Sequence, residues 1–251
     1  MDSIALFWFR RDLRLDDNVG LYHSIKNETK VLPIFIFDTD ILDRLSKEDP
    51  RVCFLHQRIE ELNQQLDEWN KKIHVYHGKP IDVLRKVLSK NTVHAVYTNR
   101  DYEPYATQRD VEIKALLSEN DVTFSTYKDH VIFERDEVVK SDGSPYRVYT
   151  PYSRVWLDKF DRQENLKSYR IDDFKNLTTL ADHKNPNLTE PFMHKVRELV
   201  PHLPSYITTY NLTLSSILWS TMVIYGAYKS QKNINWLYLS AIGIFFKSGN
   251  L

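Results

Sequence analysis

Five short apolar runs rich in β-branched and aromatic residues, Ile4–Phe9, Val31–Phe37, Ile73–Tyr76, Ala95–Thr98 and Val122–Tyr127, are separated by longer amphipathic stretches. Val31–Phe37 is apolar throughout, the pattern of a strand buried on both faces, and such burial suits a parallel sheet. From Arg51 to Trp69, the side chains of Val52, Leu55, Ile59, Leu62, Leu66 and Trp69 recur at threes and fours and fall on one helical stripe. Asp49 is placed to cap that helix and Pro50 to open it. Pro80 opens a second helix carrying Ile81, Leu84 and Leu88, and Pro104 a third carrying Val111, Leu116 and Leu117. Strands alternating with helices predict an α/β fold, a doubly wound five-stranded parallel sheet with Ile4–Phe9 inside it and the strand order reversing beside that strand. Ligands of such sheets sit outside the carboxyl ends of the strands, near the reversal.

Glycine is scarce, at 6 residues, and no glycine-rich turn follows any of these runs, so neither a dinucleotide fingerprint nor a P-loop is present. A ligand would be held by side chains. The 34 basic and 34 acidic residues cancel, which removes the overall positive field of sequence-independent DNA binding. Cys53 is the only cysteine. It permits no internal disulfide and no cysteine zinc cluster, reads as a small core residue, and fits a reducing compartment. The start, Met1-Asp2-Ser3-Ile4, lacks a basic region before its apolar run, so a secretory signal is not expected and the chain is read as cytoplasmic.

Beyond about residue 160 the periodicity fades into Asp/Asn/Lys-rich sequence punctuated by Pro186, Pro191, Pro201 and Pro204, with one short helix expected around Met193–Leu199. Leu203–Tyr228 has no charged side chain, yet its Ser, Thr, Tyr and Asn content argues against a membrane span. The expected organisation is an α/β domain over 1–130, a linker and the start of an interdomain connection over 131–202, and an irregular, partly helical apolar tail over 203–251.

One turn carries the densest charge. The string Phe7-Trp8-Phe9-Arg10-Arg11-Asp12-Leu13-Arg14-Leu15-Asp16-Asp17-Asn18 packs three arginines and three aspartates where the first strand gives way to the first helix. Buried unpaired, they would be costly, so they must pair, reach solvent or meet a charged ligand. For Asp12, Arg14, Asp16, Asp17 and Asn18 a solvated, self-paired loop is the expectation, with Asp17 or Asn18 capping the helix. The string closely resembles the amino-terminal signature of the DNA photolyase and cryptochrome family. Three further segments agree in order and spacing: Phe37-Asp38, Asn99-Arg100-Asp101-Tyr102-Glu103-Pro104-Tyr105, and Tyr149-Thr150-Pro151-Tyr152 with Trp156. The resemblance covers about residues 3 to 160.

That resemblance implies a Rossmann-like antenna domain that holds a light-gathering deazaflavin, flavin or folate and passes excitation to a catalytic FAD. Positions matching Phe35, Asp38, Arg51, Asp101 and Glu103 line the antenna pocket of deazaflavin-binding relatives, and Arg11 is expected to join them in one cleft. Folate-binding relatives place Asn-Glu where this chain has Tyr105-Ala106, which argues against folate. Arg10, Asp12, Arg14, Asp17 and Asn18 form the structural signature. Arg51 has an independent argument: in the first turn of a helix a cation opposes the macrodipole, so it calls for a partner anion, a phosphate tail or a nearby Asp38 or Asp101.

The family's helical flavin domain has recognisable motifs: a Thr-Ser-x-Leu-Ser run, a Trp-x-x-Glu-Leu-x-Trp-Arg-Glu-Phe helix and an Asp-x-Asp-x-x-x-Asn segment. None is intact here, and Trp236–Phe246 echoes the second without its charges. No catalytic or metal-binding residue is therefore assigned. Three readings remain open: an antenna fragment of a light-driven repair enzyme acting on pyrimidine dimers in DNA and inactive alone, a stand-alone module binding a heterocycle or nucleotide, and a remnant. In the first, FAD is not expected to be retained, nor damaged DNA to be bound tightly.

Overall fold

The computed structural model describes residues 3–45 and 49–186. The helix expected around Met193–Leu199, the Leu203–Tyr228 run and the rest of the expected tail lie outside these described residues. Five parallel strands, β1 (Ile4–Phe9), β2 (Val31–Phe37), β3 (His74–His77), β4 (Val93–Asn99) and β5 (Thr123–Tyr127), form one sheet in the order β3-β2-β1-β4-β5. β1 is therefore central, buried along its whole length, and the chain reverses direction across the sheet between β1 and β4.

The helices are α1 (Val19–Asn27), α2 (Thr39–Leu42), α3 (Pro50–Leu66), α4 (Pro80–Lys90), α5 (Pro104–Glu119), α6 (Tyr149–Lys159) and α7 (Arg162–Asn165). Two cores result, one on each face of the sheet. Leu21, Ile59, Leu62 and Leu66 pack with Phe7, Phe9 and Phe35 on one face; Val83, Leu84, Ile113 and Leu117 pack with Leu6, Trp8 and Ile34 on the other. Alternate residues of β1 and β2 supply the two cores, as the strand's two-residue period requires. Asp49 caps α3 by accepting from the Arg51 backbone N–H, and the stripe starting at Val52 ends at Leu66, with Trp69 in a following 3₁₀ turn. Val111, expected on the apolar stripe of α5, is 66% exposed. Ile113 is buried in its place, because two helical steps rotate a side chain by about 200° and put residue 111 on the opposite flank.

The segment after β5, expected as a linker, is tied back onto the sheet. Residues 176–178 bridge to Val31, Leu177 is 2% exposed in the first core, and Asn185 donates to the Ile73 carbonyl while accepting from the Val75 N–H at 2.9 Å. A side chain thus occupies part of the free edge of β3, a way of blunting an edge strand. The same strap sets the Leu180 N–H on His74 Nε2 at 3.2 Å and His183 Nε2 on the Val75 carbonyl at 2.9 Å.

Candidate cofactor site

Buried polar side chains gather at the carboxyl ends of β1, β2 and β4: Arg10, Asp12, Asn18, Asp38 and Asn99 are each under 9% exposed. Arg10 leaves β1 and forms a two-pronged ion pair with Asp110 of α5 at 2.8 and 2.7 Å, its guanidinium 4.1 Å from the Trp8 ring centre. Burial and the neighbouring Arg109 pull its pKa below the ordinary arginine value, and Asp110 and Asp12 push it back. The guanidinium fork matches a carboxylate, so the charge survives burial through geometry.

Asp12 accepts from the Arg10 backbone N–H at 2.7 Å and from the amides of Asn18 and Asn99. Asn18 caps α1 through the Leu21 N–H, and Asn99 Oδ1 accepts from the Gly20 N–H at 2.8 Å. These contacts lock the β1–α1 turn to the end of β4. Arg14 donates to the Asp17 carbonyl and, at 2.7 Å, to Asp129, while Asp17, in the left-handed region at φ 51°, accepts from the Tyr169 N–H. The signature residues therefore build the switch point. Asp12 and Asn18 are buried there, and the solvated loop expected for them is replaced by a network spanning β1, α1 and β4, because Asn99 reaches in from a strand that the local sequence cannot show.

The six residues expected in one cleft separate into groups. Arg11 bonds Glu103 at 2.7 Å and lies 3.6 Å from Asp101, bringing three of them together beside the reversal in strand order. Glu103 precedes α5 without capping it by its side chain. Asp38 caps α2, accepts the Tyr105 hydroxyl at 2.6 Å and lies 3.8 Å from Arg109. Phe35 is 5% exposed and packs edge-on against Phe37 in the core, because its place on β2 turns it toward the α3 face. Arg51 takes its anion from neither Asp38 nor Asp101. Its guanidinium holds the Asp49 carboxylate at 2.9 and 2.7 Å, so the acid that caps α3 also answers the cation. These contacts hold Asp49 well below the usual carboxylate range, at about 2.

A cleft of about 330 Å³ opens between the α2 turn and the first turns of α4 and α5. Pro80, Ile81, Pro104 and Tyr105 give it apolar walls, and Lys79, Gln108 and Arg109 contribute donors. Lys79 pairs with Asp40 at 3.2 Å. Arg109 lies 4.9 Å from the Trp8 ring centre and 5.7 Å from that of Tyr105, held on an aromatic surface. Burial, then the Asp38 carboxylate, push the Tyr105 hydroxyl above its ordinary value, so it remains a proton donor. Small-molecule sites combine an apolar lining with a few fixed polar groups, and the volume suits one ring system. Tyr105, Arg109 and Asp110 were not among the expected site residues. Their signal was faint: charges five and six positions after the proline of a helix that starts at the ligand edge.

The DNA photolyase family profile matches residues 5–170. The chain belongs to the DNA photolyase family. Among curated relatives of this photolyase domain, the deoxyribodipyrimidine photo-lyase of Synechococcus sp. is 30% identical over 156 residues, 62% of this chain and 32% of that protein. Cryptochrome-1 of Gallus gallus is 30% identical over 139 residues, 55% of this chain and 22% of that one. The chain spans about a third of the length of the curated photolyases it matches. Among solved structures, a class III photolyase from Agrobacterium tumefaciens superposes with a TM-score of 0.65 at 24% identity, over 82% of this chain and 40% of that one. An archaeal photolyase from Sulfolobus tokodaii, solved with two FAD molecules, gives 0.62 at 24%, over 76% and 41%. These structures share the five-stranded parallel fold. No helix among the described residues is long and apolar enough to cross a membrane.

Proposed function

We propose that this photolyase domain binds an antenna chromophore, a flavin or deazaflavin, in the cleft between α4 and α5, and serves light-driven repair of DNA only together with a flavin-bearing catalytic domain. The observation that carries the reading is the cleft itself, apolar-walled at the carboxyl edge of the sheet, with the Tyr105–Asp38 contact and Arg109 fixed beside it. Pro80 and Ile81 on one side and Pro104 and Tyr105 on the other suit a planar ring, and Lys79, Gln108 and Arg109 supply hydrogen bonds to ring carbonyls or a phosphate tail. The bound pigment would supply light absorption; the chain's part is to hold the ring still and dry. The archaeal relative, whose two FAD molecules implied a light-harvesting cofactor, supports a flavin at this level of likeness.

Retention of catalytic FAD and repair by the 251-residue polypeptide alone are not part of the proposal, nor is tight binding of damaged DNA by a chain of zero net charge. We place the protein in the cytoplasm, where its single cysteine stays reduced. Titration of the purified chain with FMN, FAD and a deazaflavin, followed by absorbance and fluorescence, tests the reading. Binding should be stoichiometric and weaken about tenfold in Lys79→Ala or Arg109→Gln, the worth of one hydrogen bond to a charged group. Binding unchanged in both variants, or no binding of any of the three, refutes it.

A further inference from the structure

The helix α5 presents one flank, with Tyr105, Gln108, Arg109 and Glu112, to the antenna cleft. A second flank, with Thr107, Asp110, Val111 and Lys114, lines a separate hollow of about 410 Å³ against the ends of β4 and β5. The spacing of three, four and seven residues makes each set a true helical face. Across the second hollow stand Arg100, Asp101, Thr126 and Arg135.

The charges there do not cancel. Asp110 is committed to Arg10 and Arg109, Asp101 shares Arg11 with Glu103, and Arg100 is matched by Glu134. Lys114 and Arg135 form no ion pair among the described residues, which leaves two cations without counter-charge on one hollow. The hydroxyls agree with them. Thr126 Oγ1 accepts from Arg100 Nε at 3.1 Å, so its proton is free to donate, and the Thr107 hydroxyl makes no hydrogen bond among the described residues.

Arg135 adds an independent observation. It holds a left-handed backbone, φ 46°, a conformation that disfavours side chains with a Cβ. Glycine would occupy the position without strain, so an arginine there carries a cost to the fold.

We propose that this hollow binds the dianionic phosphate of a small phosphate monoester, with Lys114 and Arg135 neutralising the charge and Thr107 and Thr126 donating to the oxygens. A dianion matches the charge of the two unpaired cations, and its oxygens accept from them and from the two hydroxyls. The site is distinct from the antenna cleft, on the other flank of α5, and does not depend on it.

Calorimetric titration of the full chain with inorganic phosphate, AMP and a 5′-hydroxyl dinucleotide, which carries only a singly charged diester, tests the assignment. Phosphate and AMP should compete for one site, and the dinucleotide should bind about tenfold more weakly. Lys114→Gln and Arg135→Gly should each weaken AMP about tenfold, with the thermal midpoint of Arg135→Gly no lower than wild type. Lys79→Ala, in the antenna cleft and paired with Asp40, should leave AMP unaffected. Equal binding of the dinucleotide, or binding that tightens with oligonucleotide length, would mean a nucleic-acid surface and overturn the proposal. So would AMP affinity that survives Lys114→Gln and Arg135→Gly, or the absence of any phosphate binding.

Discussion

Replacing Gly20 by alanine should destabilise the domain, although in an open helix the same change stabilises by about 1 kcal/mol. Gly20 is buried at the second position of α1, and a Cβ built there would lie 2.7 Å from Asn99 Oδ1 and 3.0 Å from the Phe7 ring. Asn99 cannot swing away. Its amide is pinned by Asp12 and Asn18, and its oxygen receives the Gly20 N–H at 2.8 Å. Overpacking of this size costs about 2 kcal/mol, and displacing Asn99 strands buried partners at roughly another 2 kcal/mol. Set against the gain in propensity, the net loss is about 3 kcal/mol. Urea denaturation followed by far-ultraviolet circular dichroism measures it, with the slope unchanged and the midpoint lowered. In an Asn99→Ala background most of the penalty should vanish, since the two residues act as one contact. A Gly20→Ala protein as stable as wild type, or the same penalty in both backgrounds, would show that the network does not fix the switch point.

Arg10→Ala should cost about 2 kcal/mol in the same assay, because it removes both prongs of the pair and leaves Asp110 to Arg109 alone at 3.4 Å, and Arg10→Lys should recover only part of it, an ammonium being unable to fork. His74, buried and accepting from Leu180, is depressed by burial, by His183 and by Lys72 to about 4 from an ordinary 6.5. The unfolded chain takes up that proton first, so stability is fully present above pH 6.5, falls as the pH drops toward about 4 and levels off below. After allowance for solvent screening the loss is on the order of 2 kcal/mol, and it should disappear in His74→Gln; a wild-type profile flat across this window refutes the strap contact. The 251-residue polypeptide, purified alone, should retain no catalytic FAD beyond the pigment of its antenna cleft and should not reverse pyrimidine dimers under blue light. A flavin-to-protein ratio near one with light-dependent repair would overturn that expectation.

Local chemistry was enough to place the elements. The run Val31–Phe37 could only be a buried strand, and Asp49-Pro50, Pro80 and Pro104 each open a helix, because caps and a fixed proline φ act within one turn of chain. Right-handed crossovers then left few ways to order five such strands, and β1 came out central. The family, too, was legible in one dense string at the end of β1. What tertiary structure decided is where each charge finds its partner. Arg10 and Asp110 are 100 positions apart and meet because β1 and α5 share an edge. Asn99 proved to be the keystone of the turn: the resemblance marked its segment, but not its partners Asp12, Asn18 and Gly20. Arg51 turned to the residue that caps its own helix, and Phe35 to the core, since a strand's alternation fixes which face a side chain takes before any ligand does. Sequence patterns report periodic burial, which is a local property. Pairing of buried charge is a property of distance in space, and only the folded sheet sets those distances.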